Sequence, residues 1–389
     1  MTYLDYSATT PVDSEVLDSF VKSVEYFANP NSLHKIGVEA KKLIDASTEQ
    51  IARLINVKPS EIIYTSGASE SNNTVIKGME KYKNRGYKII TTELEHSSIY
   101  GPLNYLSERG FEVQFVPLKN GIVDIKKLES MLDKTVLVTI SMVNSETGIR
   151  QPIEEIGKML KKYPKVLFHT DITQALGKIK FDLKDVDFAS FSAHKFFGLK
   201  GVGGLYKKES INLYPLINGG KSTTKFRSGT PATPLIVSTA KALRLSYENM
   251  DEDLKKVKEY NEYLCNKLSK YENVIINSNE NSIKQVLNFS VLKVKPEVFM
   301  HSLEEDEVYI STQSACSLGD YSKAVYALTN DMKRASSSLR VSISRKTTKE
   351  DIDNFLKAFD RSYNKLCNWS LLWKEYKHIK NNVSKNERK

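Results

Sequence analysis

The chain has 389 residues, 40% of them hydrophobic and 27% charged, with a formal net charge of +10 at neutral pH. That length carries a large core and suggests two domains, and the balance is that of an ordinary globular protein rather than a disordered one. No apolar run reaches bilayer length, and three cysteines, Cys265, Cys316 and Cys367, are too few and too scattered for a disulfide scaffold.

The opening residues enter strand-like sequence without a basic leader or an apolar signal core, which predicts a cytoplasmic protein with no membrane association. Lysines are spread over many helices and mixed with glutamates, and only 374–389 is distinctly basic. A solvated lysine-rich surface accounts for the charge, and direct binding to nucleic acid is not expected.

In chain order, Tyr3 to Pro11 is a short extended piece. Asp13 then caps a helix expected to run to about Phe27. Ala28 to His34 is a loop of breakers and polar side chains, and a second helix follows with Val38, Leu43, Ile44, Ile51, Leu54 and Ile55 on its buried face. From Glu61 short apolar strands alternate with helices: Ile62–Tyr64, Lys88–Ile90, Val113–Val116, Val136–Ile140, Val166–Phe168 and Phe188–Phe191. That alternation predicts an α/β fold with a mostly parallel sheet covered on both faces, and such sheets hold ligands at the carboxyl ends of their strands. A helical stretch over Thr233–Tyr271 leads to strands at Val274–Asn277, Val286–Leu292, Val308–Thr312 and Leu339–Ile343, and then to a long helix over Lys349–Asn368. This later part reads as a smaller α+β domain.

The strand ends carry the chemistry. Phe191-Ser192-Ala193-His194-Lys195-Phe196-Phe197-Gly198 puts a lysine among aromatic residues at the mouth of a strand. Poor solvation there favours the free amine that Schiff-base chemistry needs. Thr65-Ser66-Gly67-Ala68-Ser69-Glu70-Ser71 is a small-residue turn opening a helix, with two readings from the residues alone: an anion cup, or a serine-capped helix without a ligand. His96 closes a third strand as a structural or a catalytic residue. Asp171, three residues before Gln174, ends a fourth, where a carboxylate is costly unless it meets a cation or several donors. A lysine, an aspartate and a phosphate cup are the set a pyridoxal phosphate enzyme requires. The histidines lack close ligand pairing and no cysteine pair accompanies them, so a metal site is a poor rival.

With these pieces in order, together with Tyr3-Leu4-Asp5-Tyr6-Ser7-Ala8-Thr9-Thr10-Pro11, Arg227-Ser228-Gly229-Thr230, Ser314-Ala315-Cys316 and Leu339-Arg340, the sequence resembles the cysteine desulfurases of the class V aminotransferase group. The resemblance implies fold-type I, with a large domain over 14–250 holding a seven-stranded sheet between helices. Residues 1–13 and 251–389 would form the small domain and carry the loop of the persulfide cysteine. It implies pyridoxal 5'-phosphate as cofactor, L-cysteine as substrate and a homodimer.

Residue by residue, the resemblance makes Lys195 the Schiff-base lysine and Asp171 the partner of the pyridinium nitrogen. His96 stacks on the ring and assists proton transfers, and Gln174 bonds the ring hydroxyl. Ser69, Ser192, His194 and the Ala68 N–H hold the phosphate, joined by Thr230 of the neighbouring subunit. Asn144 and Arg340 grip the substrate carboxylate. The Cys316 thiolate takes the substrate sulfur as a persulfide, and alanine leaves. Ser145 stands where many relatives have a second asparagine that reaches the ring hydroxyl, which leaves that contact to Gln174. Sulfur would pass to an iron–sulfur scaffold or a tRNA-thiolation enzyme, and Ser370–Tyr376 resembles the region that relatives use to dock the scaffold. A selenocysteine lyase of the same fold, or a non-catalytic relative binding RNA or a protein, is the alternative. Cys265 and Cys367 read as packing residues.

Overall fold

The computed structural model describes residues 1–220, 222–312 and 321–368. Seven strands form the principal sheet in the spatial order Ile62–Thr65, Gly203–Lys207, Phe188–Ser192, Leu167–Asp171, Thr135–Thr139, Lys88–Thr91 and Glu112–Phe115. All run parallel except Gly203–Lys207, which is antiparallel to both neighbours. Alternate residues face opposite sides of the pleat. Ile90, Val138, Phe168 and Phe191 join one apolar cluster, and Ile89, Leu137, Leu167 and Phe188 join another. A sheet buried on both faces accounts for strands that read as continuous apolar runs.

Three elements differ from expectation. Gly203–Lys207 was not anticipated as a strand because two of its five residues are glycines. Their absence of side chains is what the sheet needs: a Cβ on Gly203 would lie 2.2 Å from the Phe191 carbonyl oxygen and 2.7 Å from Gly67 Cα, and one on Gly204 would lie 2.4 Å from the Phe191 ring. The helical stretch after Thr233 is two helices, Thr233–Glu248 and Met250–Leu268, because Asn249 between them leaves the helical region at φ −122° and ψ 29°. The first helix is also shorter than expected, Ser14–Ser23, with the Asp13 carboxylate accepting from the Glu15 N–H.

The C-terminal part is built on an antiparallel sheet in the order Val274–Ile276, Val286–Val291, Ser338–Ser342. Phe289, Phe299, Phe355 and Phe359 pack on it, the last two from helix Lys349–Tyr363, which opens on a Thr348–Asp351 capping box. The first residues of the chain join this part: Thr2–Tyr3 pairs in parallel with Val308–Tyr309, and Leu4 is wholly buried in the same cluster. Among the described residues no helix is long and apolar enough to cross a membrane.

Candidate active site

At the carboxyl ends of the parallel strands lies a cavity of about 270 Å³, and eleven of the residues singled out from the sequence line it: Ala68, Ser69, His96, Asn144, Ser145, Asp171, Gln174, Ser192, His194, Lys195 and Arg340. They come from six separate segments. Thr230 lies elsewhere, in a cleft with Ser66, Gly201 and Ser222. Cys316 and the residues flanking it, like Ser370–Tyr376, fall outside the described residues.

Lys195 ends a short turn of 3-10 helix, Ala193–Lys195, that follows strand Phe188–Ser192. Its Nζ donates to the carbonyl oxygens of Ser7 at 2.6 Å and Ala8 at 2.7 Å. The amino-terminal segment therefore supplies part of the lysine's surroundings. That segment is pinned in turn, since Thr10 N–H and Thr10 Oγ1 both donate to the His194 carbonyl and Phe197 N–H donates to Thr10 Oγ1. Phe197 adopts φ +67°, a conformation costly for a bulky side chain and held by its surroundings.

Gly67 starts helix Ala68–Gly78 with φ +153°, which only glycine adopts readily. The Ala68 N–H donates to Ser192 Oγ at 2.7 Å. A helix N-terminus, two serine hydroxyls and the ring of His194 thus converge on one end of the cavity, the arrangement that suits a phosphate. Burial and the charges of Lys195, Lys200 and Lys178 pull the His194 pKa down to about 4, so at neutral pH the ring is uncharged.

Asp171 closes strand Leu167–Asp171 and is buried. Its carboxylate accepts from Asn72 Nδ2 at 2.8 Å and from the Thr173 N–H at 2.9 Å, and among the described residues it makes no ion pair. A buried carboxylate facing a cavity without a cation suits a protonated pyridine nitrogen. Behind it, His169 is wholly enclosed between Thr139 and Ser190, and burial brings its pKa to about 4.

His96 N-caps helix Ser97–Ser107 through its ring, Nδ1 receiving the Ser98 N–H. Its pKa is lowered, chiefly by burial. Gln174 is oriented from both ends: its Nε2 donates to Ser7 O, and its Oε1 accepts from Lys178 Nζ at 2.6 Å. Lys178 is enclosed, and burial followed by the charges of Lys195 and Arg340 sets its pKa well below the usual lysine range.

Arg340, on strand Ser338–Ser342, is only 2% exposed. Its guanidinium donates to Asp5 Oδ1 at 2.6 Å and to the Ser145 carbonyl at 2.9 Å, while Nε is buried without a partner among the described residues. A surface arginine is ruled out. The Asn144 side chain is largely spent on its own turn, since Oδ1 accepts from the Glu146 and Thr147 N–H groups and the Thr147 hydroxyl, and Nδ2 donates to Leu94 O. Its second amide hydrogen is what it retains for a ligand.

Sequence reasoning missed Asp5, Asn72, Ser98 and Lys178. Asp5 stands inside a stretch already singled out, Asn72 directly follows one, and Lys178 lies four residues after Gln174, but nothing in their local sequence names their partners.

The profile of the aminotransferase class-V family matches residues 2–355. The chain is 40% identical over 394 residues to the cysteine desulfurase IscS of Glaesserella parasuis serovar 5, covering 96% of each chain. It is 40% identical over 389 residues to the mitochondrial cysteine desulfurase of Arabidopsis thaliana, covering 96% of this chain and 85% of that one. A solved NifS-like protein superposes with a TM-score of 0.89 at 35% identity, over 94% of this chain and 100% of that one. Near full-length similarity of that order, joined to a fold-type I sheet with an amine, a carboxylate and an anion cup at its strand ends, means that the chain belongs to the cysteine desulfurases, the pyridoxal 5'-phosphate enzymes of the class-V aminotransferase family.

Proposed function

We propose that this desulfurase transfers the sulfur of L-cysteine to Cys316, giving L-alanine and a Cys316 persulfide, with the cofactor held by the cavity described above. The reaction balances without an external reductant: L-cysteine and the Cys316 thiol become L-alanine and Cys316–S–SH. The observation that carries the reading is the meeting of Lys195, Asp171 and the Ala68–Ser192 cup in one cavity.

When bound, pyridoxal 5'-phosphate supplies an aldehyde for the amines to condense with and a ring that accepts the electron pair released at the substrate's α-carbon. Asp171 would keep the ring nitrogen protonated. Ala68 N–H, Ser69, Ser192 and His194 would hold the phosphate, and Gln174, with Ser145 beside the cavity, would bond the ring hydroxyl. Lys195 would supply the Schiff-base amine and move protons, with His96 assisting. Arg340 matches the substrate carboxylate with two parallel N–H donors, assisted by Asn144. Cys316 takes the sulfur.

Residues 14–250 serve as the cofactor-binding domain, and residues 1–13 with 251–389 form the smaller one. The pairing of Thr2–Tyr3 with Val308–Tyr309 supports that division. A homodimer, with Thr230 reaching the other copy's phosphate site, is supported by an apolar face left open near the amino terminus. Leu17, Val21 and Val24 share one side of helix Ser14–Ser23 and its end, and Phe27 and Leu33 beyond it are 83% and 96% exposed. The sulfur acceptor is an iron–sulfur scaffold or a tRNA-thiolation enzyme, in the cytoplasm.

The test is an absorbance spectrum of the purified protein before and after L-cysteine, with sulfide and alanine assayed in the same tube and Cys316→Ala alongside. A band shift, with alanine formed, and sulfide released once a thiol reductant such as dithiothreitol cleaves the persulfide, only when Cys316 is present, is the expected result. A spectrum indifferent to cysteine after the cofactor is supplied overturns the proposal. Turnover of selenocysteine by Cys316→Ala at the parent rate would move the assignment to a selenocysteine lyase.

A further inference from the structure

His96 is held by more than its cap. Its Nδ1 receives the Ser98 N–H at 3.1 Å and lies 2.8 Å from Ser98 Oγ. That hydroxyl accepts from Asn72 Nδ2 at 2.9 Å, and the same Nδ2 donates its other hydrogen to Asp171 Oδ2 at 2.8 Å. Asn72 is wholly buried, and its Oδ1 has no partner among the described residues.

These four groups leave one consistent set of hydrogens. Asp171 Oδ2 accepts from the Asn72 amide, so Nδ2 faces Asp171; the opposite orientation would set Oδ1 against a carboxylate oxygen. The second Nδ2 hydrogen goes to Ser98 Oγ. With the Ser98 backbone N–H already on Nδ1, the hydroxyl can add only its own hydrogen there. Two donors converge on Nδ1, so it carries a lone pair and the ring proton sits on Nε2, the nitrogen left for the cavity. Charging the ring would put a proton on Nδ1 against both donors. The charged groups around the ring are Asp171, Lys195 and Glu146.

We propose that Asn72 and Ser98 are positioning residues that tie His96 to the Asp171 carboxylate and lock its imidazole neutral with the proton on Nε2. His96 then meets the reacting groups as a fixed hydrogen-bond donor. With no lone pair on Nε2 it cannot take a proton there, and proton removal falls to Lys195. The inference rests on the reading of His96 as a residue of the proton transfers, and it names its part in them.

The test is nitrogen NMR of holoenzyme labelled with 15N-histidine, whose six histidines are few enough to follow, with His96→Gln identifying the ring in question. The expected signal is a bare Nδ1 and a protonated Nε2 from about pH 6 to about pH 9. Ser98→Ala keeps the backbone donor to Nδ1 and loses the hydroxyl, so its ring should charge at higher pH than the parent's, and kcat should fall about 3- to 10-fold with KM within about twofold. If Ser98→Ala does not fold, the pair Ser98→Thr and Ser98→Val replaces it: the first should keep the parent titration and the second should move it to higher pH. A parent ring protonated on Nδ1, or a Ser98→Ala ring that titrates like the parent's, overturns the relay. Full activity in His96→Gln with the parent signal as expected would overturn the role given to the ring while leaving the relay standing.

Discussion

The guanidinium of Arg340 is committed before any substrate arrives, to Asp5 on one side and the Ser145 carbonyl on another. A lysine in its place offers a point charge instead of a planar fork and cannot serve Asp5, Ser145 and a substrate carboxylate together. Arg340→Lys should therefore raise KM for L-cysteine by about 10- to 100-fold, with a smaller change in kcat, measured by steady-state alanine release. Glu95 allows a test through pH. Burial raises its carboxyl to about 7, although Ser141 and Thr92 donate to it. The folded protein thus keeps a proton that the unfolded chain releases above about pH 4.5, so this group contributes stability at low pH that is lost as pH rises through about 7. His169 and His194, both near 4 when folded, act oppositely, contributing stability above the ordinary histidine value and losing it as pH falls toward 4. Glu95→Gln cannot titrate, so its unfolding free energy in urea should fall less than the parent's between about pH 5 and about pH 8. Parallel curves would refute this. Residues whose chemistry is visible in their own type, such as Lys195 and Asp171, were legible in the sequence. Asp5, Asn72 and Lys178 were not, because each matters through a partner that only the folded chain brings near.

Helix Ala68–Gly78 shows how an element aims its chemistry. Its first turn points at the cavity because Gly67 turns the chain with φ +153°, and a Cβ there would lie 3.2 Å from Ser192 Oγ. Gly67→Ala should weaken cofactor binding by about tenfold or more, since both the backbone conformation and the Ser192 contact are strained. Titration of the apoprotein with pyridoxal phosphate, followed by absorbance, measures it; unchanged affinity would show that the cup tolerates the shift. The alternating strands and helices were readable from their apolar runs, and with them the sheet and the edge that bears the site. Strand Gly203–Lys207 was not, because its glycines answer a close approach of neighbouring backbone rather than any local preference.

Across the whole molecule, the amino-terminal residues connect the parts. Leu4 is buried with the C-terminal cluster, while the carbonyls of Ser7 and Ala8 hold Lys195 at the edge of the large sheet. Leu4→Ala should cost about 2–5 kcal/mol of stability by leaving a cavity. Activity should fall at lower urea than the global transition, as the segment that holds Lys195 loosens first. Coincident loss of activity and fold would refute this. Sedimentation should give twice the 44.1 kDa of one chain, and Val21→Glu should shift it toward a single chain and lower activity if Thr230 serves the other copy's phosphate site as proposed. Gly203 has the longest reach for so small a residue: it has no side chain and is not among the residues lining the cavity, yet it backs directly onto Gly67. In a saturation-mutagenesis survey its variants would register as defects in cofactor retention, rescued in part by excess pyridoxal phosphate in the medium. A classification by distance to the ligand would file them as folding mutants.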